Sequence, residues 1–255
     1  MKAYHDQHFL TDPQAVQRIA DVAEVKGRHV LEIGPGNGAL TRALLQRGAI
    51  VHAVELDYHL CEGLKETFSE EIAQGQLTVE QGDATRCNLP HFEMVVSNLP
   101  YSASSKITFR LLHIGFTEAV LMYQSEFADR MVAPAGTKDC GRLSIMVQTY
   151  ATVHQCFRLP PNCFSPKPQV HSTVVKIVPR EQPIFPINDR KRYSDVVRAL
   201  FSHRRKTVRN CLRGSAGMLD PGWVHRIIGT LPEEILRSRP EELYLEDFAT
   251  ISNMA

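Results

Sequence analysis

The stretch Asn98-Leu99-Pro100-Tyr101 closes the apolar run at 94–96 with an amide, a proline and an aromatic ring. Proline lacks a backbone donor and holds its peptide outside a regular strand ladder, and an asparagine carbonyl accepts hydrogen bonds. These types fit a strand-ending turn; they would equally serve a grip on a planar base that carries an exocyclic amine. Such an amine is a poor nucleophile because its lone pair is shared with the ring. Two acceptors, the Asn98 side-chain carbonyl and the Leu99 backbone carbonyl, would take its two protons, draw it toward a tetrahedral shape and free the pair. Tyr101 would stack on the base, which is worth about 1–3 kcal/mol.

A second group reads as a nucleoside site. In "LEIGPGNGALT" at 31–41, Gly34, Gly36 and Gly38 follow a GxGxG spacing, different from the GxGxxG of dinucleotide enzymes. Glycines at a strand-to-helix turn let the backbone approach a ligand closely. Glu55 ends the next strand, where a carboxylate can accept both ribose hydroxyls. Asp83 ends the third, placed to take a proton from an adenine amino group. Glu32 lies in front of the loop; a carboxylate there repels phosphates and tolerates a cation. The set describes an adenosine bearing positive charge, and S-adenosylmethionine, with its sulfonium and ammonium groups, fits.

The elements needed to position these residues are legible. Strand signals at 29–34, 50–57, 76–83, 93–100 and 118–124 alternate with helical segments at 39–47, 58–71 and 105–114. That order predicts a doubly wound parallel α/β sheet whose strand ends share one crevice. Two further strands, 151–159 and 169–179, are separated by a proline-rich loop and predict an antiparallel pair at one edge. "PREQPIFPIND" carries three prolines, and helical segments follow it. The expected organisation is therefore a doubly wound α/β domain at 1–179 and a small helical domain at 180–255.

Composition sets limits. The 255 residues carry a net charge of +1, so a nucleic-acid surface must be a local patch. No run approaches the roughly 18 apolar residues of a membrane span, and the N-terminal residues read as no secretory signal. The six cysteines form no CxxC pair, which predicts reduced thiols in a cytoplasmic protein and no metal.

Taken together, "EIGPGNGALT", "ELD", "GDA" and "NLPY" resemble the ribosomal-RNA adenine N6,N6-dimethyltransferases, the KsgA-type family. The likeness continues in order through "DQHFLTD" (6–12), "QSEFADRM" (124–131), "GRLSIMVQ" (141–148), "FSPKPQVHSTVV" (164–175) and "FSHRRKTVRNCL" (201–212). "DQHFL" and a short N-terminal arm look archaeal. The resemblance implies a Rossmann-like S-adenosylmethionine-dependent sheet with a C-terminal all-helical domain. It implies transfer of methyl groups to N6 of two adjacent adenines in a hairpin loop near the 3′ end of small-subunit rRNA, with a role in small-subunit biogenesis. By match of motifs, the cofactor contacts are His8, Leu10, Gly34, Glu55, Asp83 and Asn98, with Gly36 and Ala84 adding backbone contacts. His8 stands where many relatives carry asparagine, and Cys140 where a tyrosine is common. Phe164, in "CFSPKP", is expected on the other side of the base from Tyr101.

The reaction so implied is an in-line displacement at the sulfonium methyl. It needs no strong general base, since the methylated nitrogen becomes acidic; alignment alone can supply up to about 7–11 kcal/mol. RNA contact is expected from 190–213, which holds nine Arg or Lys and one acid, Asp195. Arg204, Arg205, Lys206, Arg209 and Arg213 are the candidates, with Arg142 and Lys167 as additions near the pocket. The expected partners are small-subunit rRNA and the immature small subunit, met by a monomer and no membrane. Three other readings compete: an assembly factor that does not use its chemistry, a large-subunit rRNA adenine methylase of the antibiotic-resistance type, and a nicotinamide-dependent dehydrogenase. The GxGxG spacing and "NLPY" oppose the last.

Overall fold

A computed structural model describes residues 7–254; Asp6, which opens the 6–12 motif, lies outside them. The first half runs β1 (Phe9–Leu10), α1 (Pro13–Ala20), β2 (His29–Ile33), α2 (Ala39–Gln46), β3 (Ile50–Glu55), α3 (Tyr58–Thr67), α4 (Ser69–Ala73), β4 (Leu77–Gln81), β5 (Met94–Asn98), α5 (Ser104–Ile114) and β6 (Glu118–Gln124). It continues through α6 (Ser125–Met131), α7 (Arg142–Tyr150), β7 (Ala151–Leu159), β8 (Phe164–Ser165) and β9 (Ser172–Pro179). Five helices complete it: α8 (Arg190–Ser202), α9 (Val208–Arg213), α10 (Pro221–Thr230), α11 (Glu233–Arg237) and α12 (Leu245–Asn253).

Seven strands form one sheet in the order β4-β3-β2-β5-β6-β9-β7. The first five are parallel, while β9 runs antiparallel to β6, with β7 as its outer neighbour. Strands β2 and β5 are buried along most of their length, as suits the centre of a sheet covered on both faces. After β2 the chain moves to β3 on one side, and after β4 it crosses to β5 on the other. This reversal is the switch point at which α/β sheets open a crevice. Beyond the Leu31–Val95 pair the ladder gives way to a side chain, because the Ile33 N–H donates to the Ser97 hydroxyl at 2.8 Å.

The helix expected over 58–71 is two helices. Asp57 caps its start by accepting from His59 N at 2.8 Å. It stops at Phe68, which is fully buried beneath Gly38. A Cβ on Gly38 would sit 2.5 Å from the Phe68 ring, so this glycine is needed for packing as well as for its φ of +79°. The short strands β1 and β8 have no pattern of their own. They pair antiparallel, Phe9 with Ser165 and Leu10 with Phe164, and so bring the N-terminal arm onto the proline-rich loop.

Two compact units are present. One takes the residues up to Ala128 together with Val153–Pro179; the other takes Asp129–Thr152 and the residues from Arg180. One change of unit falls at 179/180; residues 129–152, placed in the first domain on sequence, group with the C-terminal helices. The reason is packing between α7 and α8: the Thr149 and Tyr193 hydroxyls lie 2.8 Å apart, and the Tyr150 ring meets Tyr193 edge-on at 6.0 Å. Farther along, Phe201 and Phe248 stack at 5.7 Å and join α8 to α12. Among the described residues, no helix is long and apolar enough to cross a membrane.

Candidate active site

A cavity of about 210 Å³ opens at the switch point, within the first unit. The turn after β2, the ends of β3 and β5, the turn after β4 and the arm all line it. Among its lining residues are four carboxylates, Glu32, Glu55, Asp57 and Asp83, and no lysine or arginine.

Each carboxylate is held differently. Glu55 accepts from Gly36 N at 3.1 Å through one oxygen, and from Leu56 N and Asp57 N at 2.9 and 3.1 Å through the other. The glycine loop therefore turns an amide toward a carboxylate, where a phosphate cradle would keep it for the ligand. Asp83 accepts from Thr85 through both its N–H, at 2.9 Å, and its hydroxyl, at 2.7 Å. Those two bonds lower its pKa. Glu32 is only 1 % exposed, and its Oε2 has no hydrogen-bond partner. Burial pushes its pKa up to about 8; Thr41 pulls the other way, and the Glu55 charge adds to the rise. An orphaned carboxyl oxygen in an acid-lined cavity is what a cationic ligand would satisfy.

The rim opposite the glycine loop is the 98–101 stretch. Asn98 Nδ2 donates to the His8 carbonyl at 3.1 Å. That contact orients the amide and leaves Oδ1 on its other side. Leu99 is 1 % exposed, so its side chain belongs to the core, and Pro100 is extended (φ −62°, ψ 129°). The Tyr101 hydroxyl is 2.7 Å from that of Ser172, which anchors the ring. His8 sits over this rim with its ring centroid 5.4 Å from that of Tyr101, and its Nδ1 lies 2.7 Å from the Pro166 carbonyl. A carbonyl can only accept, so Nδ1 carries the proton. Phe9 packs on Gly36, where a Cβ would come within 2.7 Å of its ring. Residues 8–10 thus form a strap along the cavity.

The structure brings together His8, Leu10, Gly34, Gly36, Glu55, Asp83, Ala84, Asn98, Leu99, Pro100 and Tyr101 around one cavity. Phe164 does not join them. It is 2 % exposed, paired with Leu10 and packed in the core, because β8 turns its ring inward. Lys167 is exposed beside Pro166 and does not line the cavity. Asp57 and the strap residue Phe9 also line the cavity; in the sequence they stand out only as members of the "ELD" and "DQHFLTD" motifs.

In the second unit the expected RNA contacts separate into two kinds. Arg204 bonds Glu241 at 2.7 Å and also donates to the Lys138 carbonyl, while Arg209 pairs with Glu233. Arg205, Lys206 and Arg213 are exposed and have no ion pair among the described residues. Arg142 is partly buried; burial and nearby Arg198 lower its pKa, and Asp195 opposes them. Lys191 and Arg198 both bond Asp195 at 3.0 Å.

Sheet order and an acid-lined switch-point cavity are those of a Rossmann-like methyltransferase, a class whose cofactor is S-adenosylmethionine. The family described as ribosomal RNA adenine dimethylase matches residues 1–237, and the chain belongs to it. A protein of Methanospirillum hungatei named as a probable ribosomal RNA small subunit methyltransferase A is 62% identical over 253 residues, covering 99% of this chain and 98% of the relative. Its counterpart in Halobacterium salinarum is 44% identical over 98% of this chain and 88% of the relative. Among solved structures, a dimethyladenosine transferase from Plasmodium falciparum superposes with a TM-score of 0.77 at 28% identity, covering 96% of each chain. The 23S rRNA methyltransferase ErmE shares the fold, with a TM-score of 0.68 at 24% identity over 96% of this chain and 98% of its own.

Proposed function

We propose that the protein transfers methyl groups from S-adenosylmethionine to N6 of two adjacent adenines near the 3′ end of small-subunit rRNA, giving N6,N6-dimethyladenosine. The observation that carries the reading is the pairing of an acid-lined adenosine pocket with the Asn98–Tyr101 rim on one cavity. Names of the 62% and 44% identical relatives favour the small-subunit target over the large-subunit alternative.

The cofactor, when bound, supplies an electrophilic methyl on a sulfonium. Glu55 and Asp83 would hold its ribose and adenine, and Glu32 would face its positive charge. Asn98 Oδ1 and the Leu99 carbonyl accept the two N6 protons of the target base and align its lone pair. Tyr101, fixed through Ser172, stacks on the ring. After transfer the nitrogen is acidic and loses its proton to solvent. A looped adenine suits such a pocket, since loops present unstacked bases. Arg205, Lys206 and Arg213 position the RNA by contacting phosphates, a salt-dependent contribution. The protein acts as a cytoplasmic monomer on immature small subunits.

Incubation with labelled S-adenosylmethionine and undermethylated small and large subunits tests this. Label in dimethyladenosine at two adjacent 3′-terminal loop adenines is expected. Label confined to large-subunit RNA, or none, overturns the proposal.

A further inference from the structure

The turn after β4 holds Asp83 and Ala84, yet its own bonds are local. The N–H groups of Arg86 and Cys87 both donate to the Asp83 carbonyl at 2.8 Å, and Thr85 donates to the Asp83 carboxylate. The free carbonyls at the end of this turn meet Arg110, on α5. Its Nη1 donates to Ala84 O at 2.6 Å, and its Nη2 donates to Cys87 O. A guanidinium fork suits two such acceptors, because its planar donors are preorganised.

The same helix begins at the base-side rim. Ala103 N and Ser104 Oγ both donate to the Pro100 carbonyl at 3.1 Å. One rigid element therefore ties Pro100 at its first turn and the Asp83–Cys87 turn at Arg110. Lys106, one helical turn before Arg110, acts on Asp83 through its charge. Arg110 does not itself line the cavity.

We propose that Arg110 is a positioning residue: by holding the Ala84 and Cys87 carbonyls it fixes the shape of the adenine-side turn. The inference rests on the reading that Asp83 and Ala84 hold the cofactor's adenine. It predicts that Arg110 acts on cofactor affinity and leaves the transfer step alone, because the reacting groups are untouched.

The test measures KM for S-adenosylmethionine, kcat, and the affinity of 5′-methylthioadenosine, a probe with the adenosine part alone. Arg110→Ala is expected to raise KM about tenfold, weaken the probe by the same factor, and leave kcat within about twofold. Arg110→Lys recovers part of the loss, since one ammonium cannot serve both carbonyls as the fork does. A folded Arg110→Ala with unchanged cofactor and probe affinity overturns the proposal, as does a fall in kcat with KM unchanged. Should Arg110→Ala not fold, Arg110→Lys decides: a raised KM supports the proposal, a wild-type KM overturns it. Asp83→Ala separates the underlying reading. Unchanged probe affinity there sinks the adenine pocket itself, whereas its loss beside a wild-type Arg110→Ala sinks only the role of Arg110.

Discussion

The two units use charge in opposite ways. In the first, four carboxylates line a cavity with no lysine or arginine, and backbone N–H groups hold Glu55 and Asp83 in place. In the second, cations lie on the surface, and part of them is already committed to Glu241, Glu233 and Asp195. Under the proposed function, the contrast is how a chain of net charge +1 would serve both a cationic cofactor and an anionic polymer. Glu55 is buried and held by three backbone N–H groups, so its charge counts heavily in one small ligand, while Asp83 stays partly exposed. The exposed cations are screened and act as a sum over phosphates.

The largest effect is expected inside the cavity. Asn98→Ala should lower the maximal transfer rate about 10²–10³-fold, the cost of removing one preorganised hydrogen-bonding group at a reacting centre. RNA affinity, read by filter binding, should stay within about twofold. Glu55→Ala comes next. It removes the acceptor of three backbone N–H groups as well as the proposed ligand for the ribose, and titration calorimetry should show cofactor binding weakened about a hundredfold.

How far these sites could be read from sequence depends on how local their chemistry is. The glycine loop, Glu55, Asp83 and the 98–101 stretch were legible because strand ends of a doubly wound sheet must converge. Contacts far apart in sequence were not. Leu10 pairs with Phe164, and that pairing buries a ring expected to face the base. Residues 129–152 group with helices that begin beyond 180, through hydroxyl and ring contacts that no periodicity announces. The basic run was visible, but not which of its arginines were already bound to acids.

Glu32 sharpens the comparison through pH. Its carboxyl ordinarily ionises near 4.5 and is pushed up to about 8 in the folded protein. Between those values the folded state keeps a proton that the unfolded chain has lost. Stability from this group is therefore full below the lower value and falls as pH rises toward the upper, by up to about 1.4 kcal/mol per unit. Melting temperatures of the cofactor-free protein between about pH 5 and 8 should drop less for Glu32→Gln than for the wild type. Equal slopes would contradict the burial of an unpartnered carboxyl.

The smallest effects are expected on the basic surface. Arg205→Ala and Lys206→Ala should each reduce the salt slope of RNA binding by about 0.7–0.9, with the transfer rate at saturating RNA unchanged. Arg204→Ala should act mainly on melting temperature, since that side chain already bonds Glu241 and the Lys138 carbonyl. A salt slope that falls more for Arg204 than for Arg205 would reverse the division between paired and unpaired cations.

Single-turnover methyl transfer against RNA concentration tests the separation of the two surfaces most directly, because one curve gives both a maximal rate and a half-saturation. Asn98→Ala should lower the maximum and keep the half-saturation of the wild type, and the Arg205→Ala/Lys206→Ala double variant should do the reverse. An Asn98→Ala curve that reaches the wild-type maximum would contradict the account.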